Sequence, residues 1–386
     1  MMLPAPDSPL VFFSGGTALR GLSGYLASRT SSTVHLITPF DSGGSTAVLR
    51  AAFAMPAIGD MRNRLLALAD PALTSPKVLE LCDLRLPAEG DADALRSRLV
   101  AMGSDSHPVW ADLPKEAARV LLAALRSFLA NMPARFDARN ASLGNLFMAG
   151  CYLSQDRNLS AVLGIFSRLL HVRGTVLPVV EENLHLAARL EDGSVLVGQH
   201  LFKNLSSPVE RLFLTVHEPH DGARARTACR PPAAAAALAR LRSACLVCFP
   251  MGSFYTSVVA NLLPAGIGRT VAKARCPKVF IPNVGRDSEL LGRSLLDQVA
   301  ILLDTLSEDC PEAAPCDLLT HVAVDTARGD YGVDAATLKA RLAGRGIALA
   351  DTALVEEGGA RHDAQAVGDW LLGLCGASCA GDGSRG

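Results

Sequence analysis

The stretch VHLITPFDSGGSTAVLR, Val34 to Arg50, joins a strand pattern to a glycine- and serine-rich loop with a single carboxylate at the junction. Val34, Leu36 and Ile37 read as a short buried strand; Pro39 stops further ladder pairing, and Asp41, Gly43 and Gly44 supply turn chemistry. In an open α/β sheet the ligand crevice lies outside the carboxyl ends of the strands, which is where this loop falls. By itself DSGG is equally an ordinary turn.

Working outward, the same plan recurs on either side. Leu10 to Phe13 is a short apolar strand running into Gly15, Gly16 and Thr17, followed by a helix-period pattern through Leu19, Leu22 and Leu26. Strand, glycines and helix make an arrangement suited to anions, because glycine admits close backbone approach and a helix N-terminus carries partial positive charge. The Rossmann GxGxxG spacing is absent, and so is the Lys-Ser/Thr of a P-loop. ACLVCF reads as a buried strand that opens onto PMGSFYTSVVANLL, a second hydroxyl-rich loop containing Gly252, Ser253, Tyr255 and Thr256, and KVFIPNV is a further strand ending at Asn283. In GDMRNRLLALAD, Asp60 is placed to cap a helix whose first turn carries Arg62 and Asn63, and ASLGNLFMAGCYL reads as a Gly-Asn turn opening a buried helix. Two strands, LHLAARL and SVLVGQHLF, are joined by a hairpin turn at Glu191, Asp192 and Gly193, and a helix is expected from Glu289 to Leu306.

These elements predict an α/β fold: a Rossmann-like, open, mostly parallel sheet with helices on both faces, a helical insertion over residues 71–140 and a small antiparallel hairpin. Residues 1–375 are expected to form a single domain, with a disordered Gly/Ser-rich tail from 376 to 386.

Composition narrows the function classes. With 386 residues, a net charge of -1 and charged residues at only 19%, the chain has no basic field for nucleic acid. Its apolar runs are too short to span a membrane, and MMLPAPDSPL lacks the basic start of a signal peptide, so a cytoplasmic protein is expected. The 10 cysteines show no zinc-finger spacing and read mostly as small core residues of a reducing compartment. His217 and His220, flanking Glu218 and Pro219, read as the end of a strand entering a turn.

Taken together and in order, these stretches resemble the 2-phospho-L-lactate transferases (CofD-like proteins) and their bacterial relatives, the gluconeogenesis factors (YvcK-like proteins). The family's GGTGL appears as GGTAL from Gly15 to Leu19, and its TxxDDGGSSGxLR loop as TPFDSGGSTAVLR from Thr38 to Arg50. GDIRN appears as Gly59 to Asn63 and GNL as Gly144 to Leu146. LxVRGxVLPV, LEDGxxVxG and GPGSLYTSxxxNLL appear as LLHVRGTVLPV, LEDGSVLVG and PMGSFYTSVVANLL, and a late RHD recurs at Arg361 to Asp363. Ser42 replaces the second Asp of the paired-carboxylate motif, Ala18 replaces a glycine, and Pro250 and Met251 replace Gly-Pro. These departures suggest a divergent CofD-related subgroup, such as that of the GAK system.

The resemblance implies a pocket for a GDP- or UDP-linked small molecule, with Mg assistance and commonly a homo-oligomer. The residues it marks for nucleotide or phosphate are Gly15, Gly16, Thr17, Leu19, Ser42, Gly43, Gly44, Ser45, Arg62, Asn63, Asn145, Gly252, Ser253, Tyr255, Thr256 and Asn283. Asp41 is the expected metal ligand, and Asp41 with Asp60 the expected catalytic acids. One carboxylate suffices for Mg when substrate phosphates and water complete the shell. Three functions remain open at this point: transfer of a phosphorus-linked group with release of a nucleoside monophosphate, non-catalytic sensing of a nucleotide or UDP-sugar, and service as a partner-binding component.

Overall fold

A computed structural model describes residues 8–217, 227–285, 287–359 and 361–382. Seven strands form one all-parallel sheet: β1 (Leu10–Ser14), β2 (Thr33–Ile37), β3 (Thr175–Pro178), β7 (Leu246–Phe249), β8 (Lys278–Phe280), β9 (His321–Val324) and β10 (Ala348–Asp351). Their order is β10-β9-β8-β7-β1-β2-β3. The chain therefore runs outward in one direction from β1 to β3, returns, and runs outward the other way from β7. The order reverses between β1 and β7, and the crevice of a doubly wound sheet lies at such a reversal.

Strand alternation fixes the two faces. Val11 and Phe13 of β1 enter one core with Phe249 and Phe280, while Leu10 and Phe12 enter another with Leu22 and Leu26. The second core is closed by α1 (Arg20–Arg29) and by α14 (Ala364–Asp382), whose packing brings Cys375 to Cys245 as a disulfide. That pairing departs from the expectation of reduced core cysteines; seven other described cysteines are free. α14 continues past Cys375, where the glycine content suggested a disordered tail. Residues 383–386 lie outside the described set.

Between β2 and β3 lie α2 (Gly44–Phe53), α3 (Gly59–Ala67), α4 (Pro76–Asp83), α5 (Ala92–Met102), α6 (Lys115–Asn131), α7 (Leu143–Ser154) and α8 (Leu159–Leu169). They surround their own apolar core, with Leu121, Leu125 and Phe128 of α6 fully buried. α9 (Ala235–Arg242), α10 (Ile267–Lys273), α11 (Leu295–Ser307), α12 (Pro315–Leu318) and α13 (Ala335–Ala343) accompany the second half of the sheet. Among the described residues no helix is long and apolar enough to cross a membrane.

Several local readings change. The expected hairpin is part of a three-stranded antiparallel sheet, β5-β4-β6, built from β4 (His185–Leu190), β5 (Val195–Val197) and β6 (Val209–Thr215). β5 is short because Gly198 has a φ of 114°, after which Gln199–Asn204 coils as a 3-10 helix. The apolar pair Leu201 and Phe202 reads in the sequence as a continuation of that strand. Gly144 and Asn145 lie in the first turn of α7 rather than in a preceding turn, since Ser142 caps that helix. Asp60 lies inside α3, whose first turn follows Ile58. α11 begins at Leu295, not Glu289, because Ser294 and Asp297 form a capping box there. His217 follows β6, while Glu218 to His220 lie outside the described residues.

Candidate functional site

The loops after β1 and β7 meet at the reversal point, and glycine is what allows them to meet. A Cβ on Gly15 would lie 2.1 Å from Ser257 Oγ, and one on Gly16 would lie 2.8 Å from Asp60 Oδ1. Beneath the first loop sits Arg64 of α3, fully buried, donating to the carbonyls of Gly15 (2.9 Å) and Gly16 (3.2 Å) and to Ser23 Oγ. Burial lowers its pKa to about 10, which leaves it charged at neutral pH. Thr17 and Ala18 at the tip are exposed, whereas Leu19 is a core residue that anchors the loop.

The Asp41 loop is fixed by a second buried arginine. Arg50 of α2 donates to the carbonyls of Phe40 and Asp41 (both 3.1 Å) and, across the fold, to Leu184 O (2.6 Å) and Asn183 Oδ1 (3.0 Å). Asp41 Oδ1 accepts the Gly43 amide at 2.9 Å, and its other oxygen is turned toward Gly59. A Cβ on Gly59 would meet Thr46 Oγ1 at 2.6 Å, Asp41 Oδ2 at 3.5 Å and Asn145 Nδ2 at 3.7 Å, so three polar groups converge on that glycine. Asn145 donates to Ser45 Oγ at 3.0 Å, while its Oδ1 is buried without a hydrogen-bond partner. Gly44, with a φ of 49°, starts α2 from an exposed position.

Asp60, half-buried, lines the crevice with its Oδ1 turned toward Gly16. Its pKa rises to about 7, first through desolvation and then through the charge of Asp41, against the opposing pull of Arg64 and Arg62. Arg62 itself is a strut: buried, it donates to Ser142 Oγ at the cap of α7 and to Asn63 Oδ1 at 2.6 Å.

The loop after β7 is occupied by its own partners. The Gly252 amide donates to Asn283 Oδ1 at 2.8 Å, and Asn283 Nδ2 returns a bond to Gly252 O at 2.7 Å. The Phe254 amide goes to Asp287 Oδ2 (2.8 Å), and the Tyr255 and Thr256 amides both go to Glu289 Oε2 (2.9 Å), whose other oxygen accepts the Thr256 hydroxyl at 2.6 Å. Tyr255 is buried against Phe254. Tyr255, Thr256 and Asn283 therefore brace the loop, while Gly252, Ser253 and Ser257 line the small hollow and Asn283 also borders the larger one.

Two hollows flank the glycine loop. A small one of about 260 Å³ is lined by Gly15 to Leu19, Asp60, Gly252, Ser253 and Ser257, together with Gln199 and Lys203 of the 3-10 segment. A larger one of about 820 Å³ shares Thr17, Ala18 and Met251 with it and extends to Arg20, Asn283, Arg361 and His362. A third hollow of about 760 Å³, between α4, α6, α7 and α8, contains none of the site residues named from the sequence. Ser42 faces neither of the first two: its hydroxyl is paired with His200 Nδ1 at 2.9 Å and accepts the His200 amide at 3.3 Å.

The chemistry of these donors bears on Mg. Among the described residues no three His, Cys, Asp or Glu side chains cluster as a ready-made metal cage. One carboxylate, Asp41, keeps an oxygen turned toward the convergence at Gly59. A single acid of this kind fits an ion that arrives with a substrate's phosphates.

Sequence reading placed Ser257 in the hydroxyl-rich loop with Gly252 to Thr256, but did not identify Arg50, Arg64, Gln199, Lys203, Asp287 or Glu289. The arginines looked like ordinary helix residues, Gln199 was absorbed into an apparent strand, and Lys203 lay just past its end. The capping signal at Ser294 was legible, and it would have released Glu289 from the helix.

Comparison with known proteins bears on the family and the fold. The family described as 2-phospho-L-lactate transferase CofD matches residues 10–345. The gluconeogenesis factor of Halalkalibacterium halodurans is 27% identical over 375 residues, covering 94% of this chain and 95% of that one. That of Bacillus subtilis is 28% identical over 315 residues, covering 78% and 80%. A crystal structure of a UPF0052-family protein from Bacillus halodurans superposes with a TM-score of 0.67 at 24% identity, over 96% of this chain and 100% of that one, and shares the fold.

Proposed function

The chain belongs to the 2-phospho-L-lactate transferase CofD family, and from that premise we propose that it is a transferase acting on a donor linked through a nucleotide diphosphate. The observation that carries this reading is the pair of acids, Asp41 and Asp60, standing beside two glycine loops at the reversal point of the sheet. The diphosphate would lie in the small hollow against Gly15, Gly16, Thr17, Gly252 and Ser253, and the nucleoside in the larger hollow beyond Thr17 and Ala18. In the reaction, an acceptor hydroxyl oxygen bonds to the outer phosphorus and the bridging P–O bond breaks. The nucleoside monophosphate leaves with the electron pair. Asp60, titrating at about 7, takes the acceptor's proton when ionised. Mg bound through Asp41 would supply neutralisation of the phosphoryl charge.

A second reading, non-catalytic binding of a nucleotide or UDP-sugar, draws support from Ser42, whose hydroxyl is engaged by His200 where the family motif has an acid. Incubation with GDP- and UDP-linked compounds plus Mg separates the two. Release of GMP or UMP is the expected result; saturable binding with no product would establish the sensor instead.

A further inference from the structure

The small hollow is lined by one cation among its described residues, Lys203, and the chain builds a support to hold it there. Lys203 lies on the 3-10 segment Gln199–Asn204, which leaves β5 at the positive-φ Gly198. Two attachments fix that segment. Phe202, next to Lys203, is fully buried in the main core, and His200 is bonded to Ser42 by both its ring nitrogen (2.9 Å) and its backbone amide (3.3 Å). Beside them, Gln199 lines the same hollow with its Oε1 shielded from solvent and without a hydrogen-bond partner. A cation and an unpaired acceptor thus project beside a glycine loop. The two buried arginines nearby cannot serve the same purpose, since Arg64 is engaged with Gly15, Gly16 and Ser23, and Arg62 with Ser142 and Asn63.

We propose that Lys203 binds the diphosphate of the nucleotide directly, and that Ser42 and His200 are positioning residues that hold it over the small hollow. The inference rests on the nucleotide-binding reading and adds the residue that recognises the phosphates. It also accounts for Ser42. Where the family motif places a second acid, this chain places a hydroxyl that ties the Asp41 loop to the segment carrying the lysine. Charge that a metal on two carboxylates would neutralise is met in part by a side chain of the protein. A compact ammonium suits a diphosphate as a point charge.

Calorimetric titration with UDP and with GDP, each in Mg and in EDTA, tests this on the full chain. Lys203→Met should weaken binding by roughly 10-fold or more in both buffers, the usual loss of a charge-assisted phosphate contact. Its melting temperature should be unchanged, since Lys203 is exposed. Lys203→Arg should recover most of the affinity. His200→Ala should weaken binding by about 3-fold in the wild-type background and add nothing to Lys203→Met, because both act through one contact. The proposal is overturned if the parent protein binds a nucleotide and Lys203→Met binds it equally well, or if the parent binds only in Mg. If neither nucleotide binds in either buffer, the nucleotide reading itself fails and takes the role of Lys203 with it.

Discussion

Asp60 and Glu289 titrate alike and do different things. Both carboxyls are raised to about 7, and in both the first cause is desolvation. Their surroundings separate them. Glu289 accepts two amides and a hydroxyl from the loop after β7, so its hydrogen-bonding capacity is spent inside the protein. Asp60 lines the crevice beside Gly16 and shares its charge environment with Asp41. A raised carboxyl is therefore no guide to chemistry until its partners are counted: one acid holds the rim of the site in place, the other faces what enters it.

The largest expected effect lies on the structural side of this pair. Glu289→Ala should lower stability by about 4 kcal/mol, because it strands two amides and a hydroxyl that are buried under the loop. Chemical denaturation with a shifted midpoint and an unchanged slope is the measurement. A loss below about 1 kcal/mol would show that water replaces the carboxylate and that the loop does not depend on it.

Asp60→Asn should instead lower turnover by roughly 100-fold, as for loss of a proton acceptor, and remove the rise in rate through pH about 7. Stability should move the opposite way. A folded pKa above the unfolded value means that the native state holds the proton more tightly, so this carboxyl costs stability progressively as pH rises from 3.8 to about 7. Above that range the cost is complete, with a ceiling of roughly 4 kcal/mol that water in the crevice reduces to about 2. Asp60→Asn should therefore raise the melting temperature at pH 8 and leave it unchanged near pH 4. An equal shift at both pH values would mean that the substitution acts through packing rather than through charge.

Gly16→Ala sharpens the comparison at lower amplitude. Its Cβ would press on Asp60 Oδ1 at 2.8 Å, so the carboxyl must turn aside while the fold survives. A loss of turnover of about 10-fold with little change in stability is expected. The combination with Asp60→Asn should be less than additive, since both act on one carboxyl.

The sequence was most legible where backbone geometry is demanding. Gly15, Gly16, Gly252 and the Asp41 turn announce themselves because few residue types permit those paths, and the parallel sheet follows from the strands that precede them. Residues whose meaning is purely tertiary stayed hidden. Arg64 reads as one more polar residue in an amphipathic helix until the fold puts two loop carbonyls over it, and Glu289 reads as a helix former until the cap at Ser294 excludes it. Lys203 carried no local signal: it follows a run read as a strand through Phe202, and only the turn at Gly198 into the 3-10 segment brings it to the crevice. Ser42 was visible from the start as a departure from a motif, yet its partner lies 158 residues away in the chain.

That departure gives the smallest effect and the most discriminating one. Ser42→Asp restores the acid that the family motif carries at this position, next to the Gly43 amide that Asp41 already binds in its turn. Two outcomes compete. The new carboxylate adds a ligand beside Asp41, which should tighten Mg in the presence of nucleotide by about 3- to 10-fold. It can also accept from His200 in place of the hydroxyl, as a charged pair at a partly exposed position worth about 0.5 kcal/mol. The first outcome would move Asp60 as well, because another negative charge near Asp41 should push the pH midpoint of turnover above 7. A midpoint that stays in place, with Mg affinity unchanged, would assign position 42 to the support of His200 and leave Asp60 and Asp41 as the acids of the site.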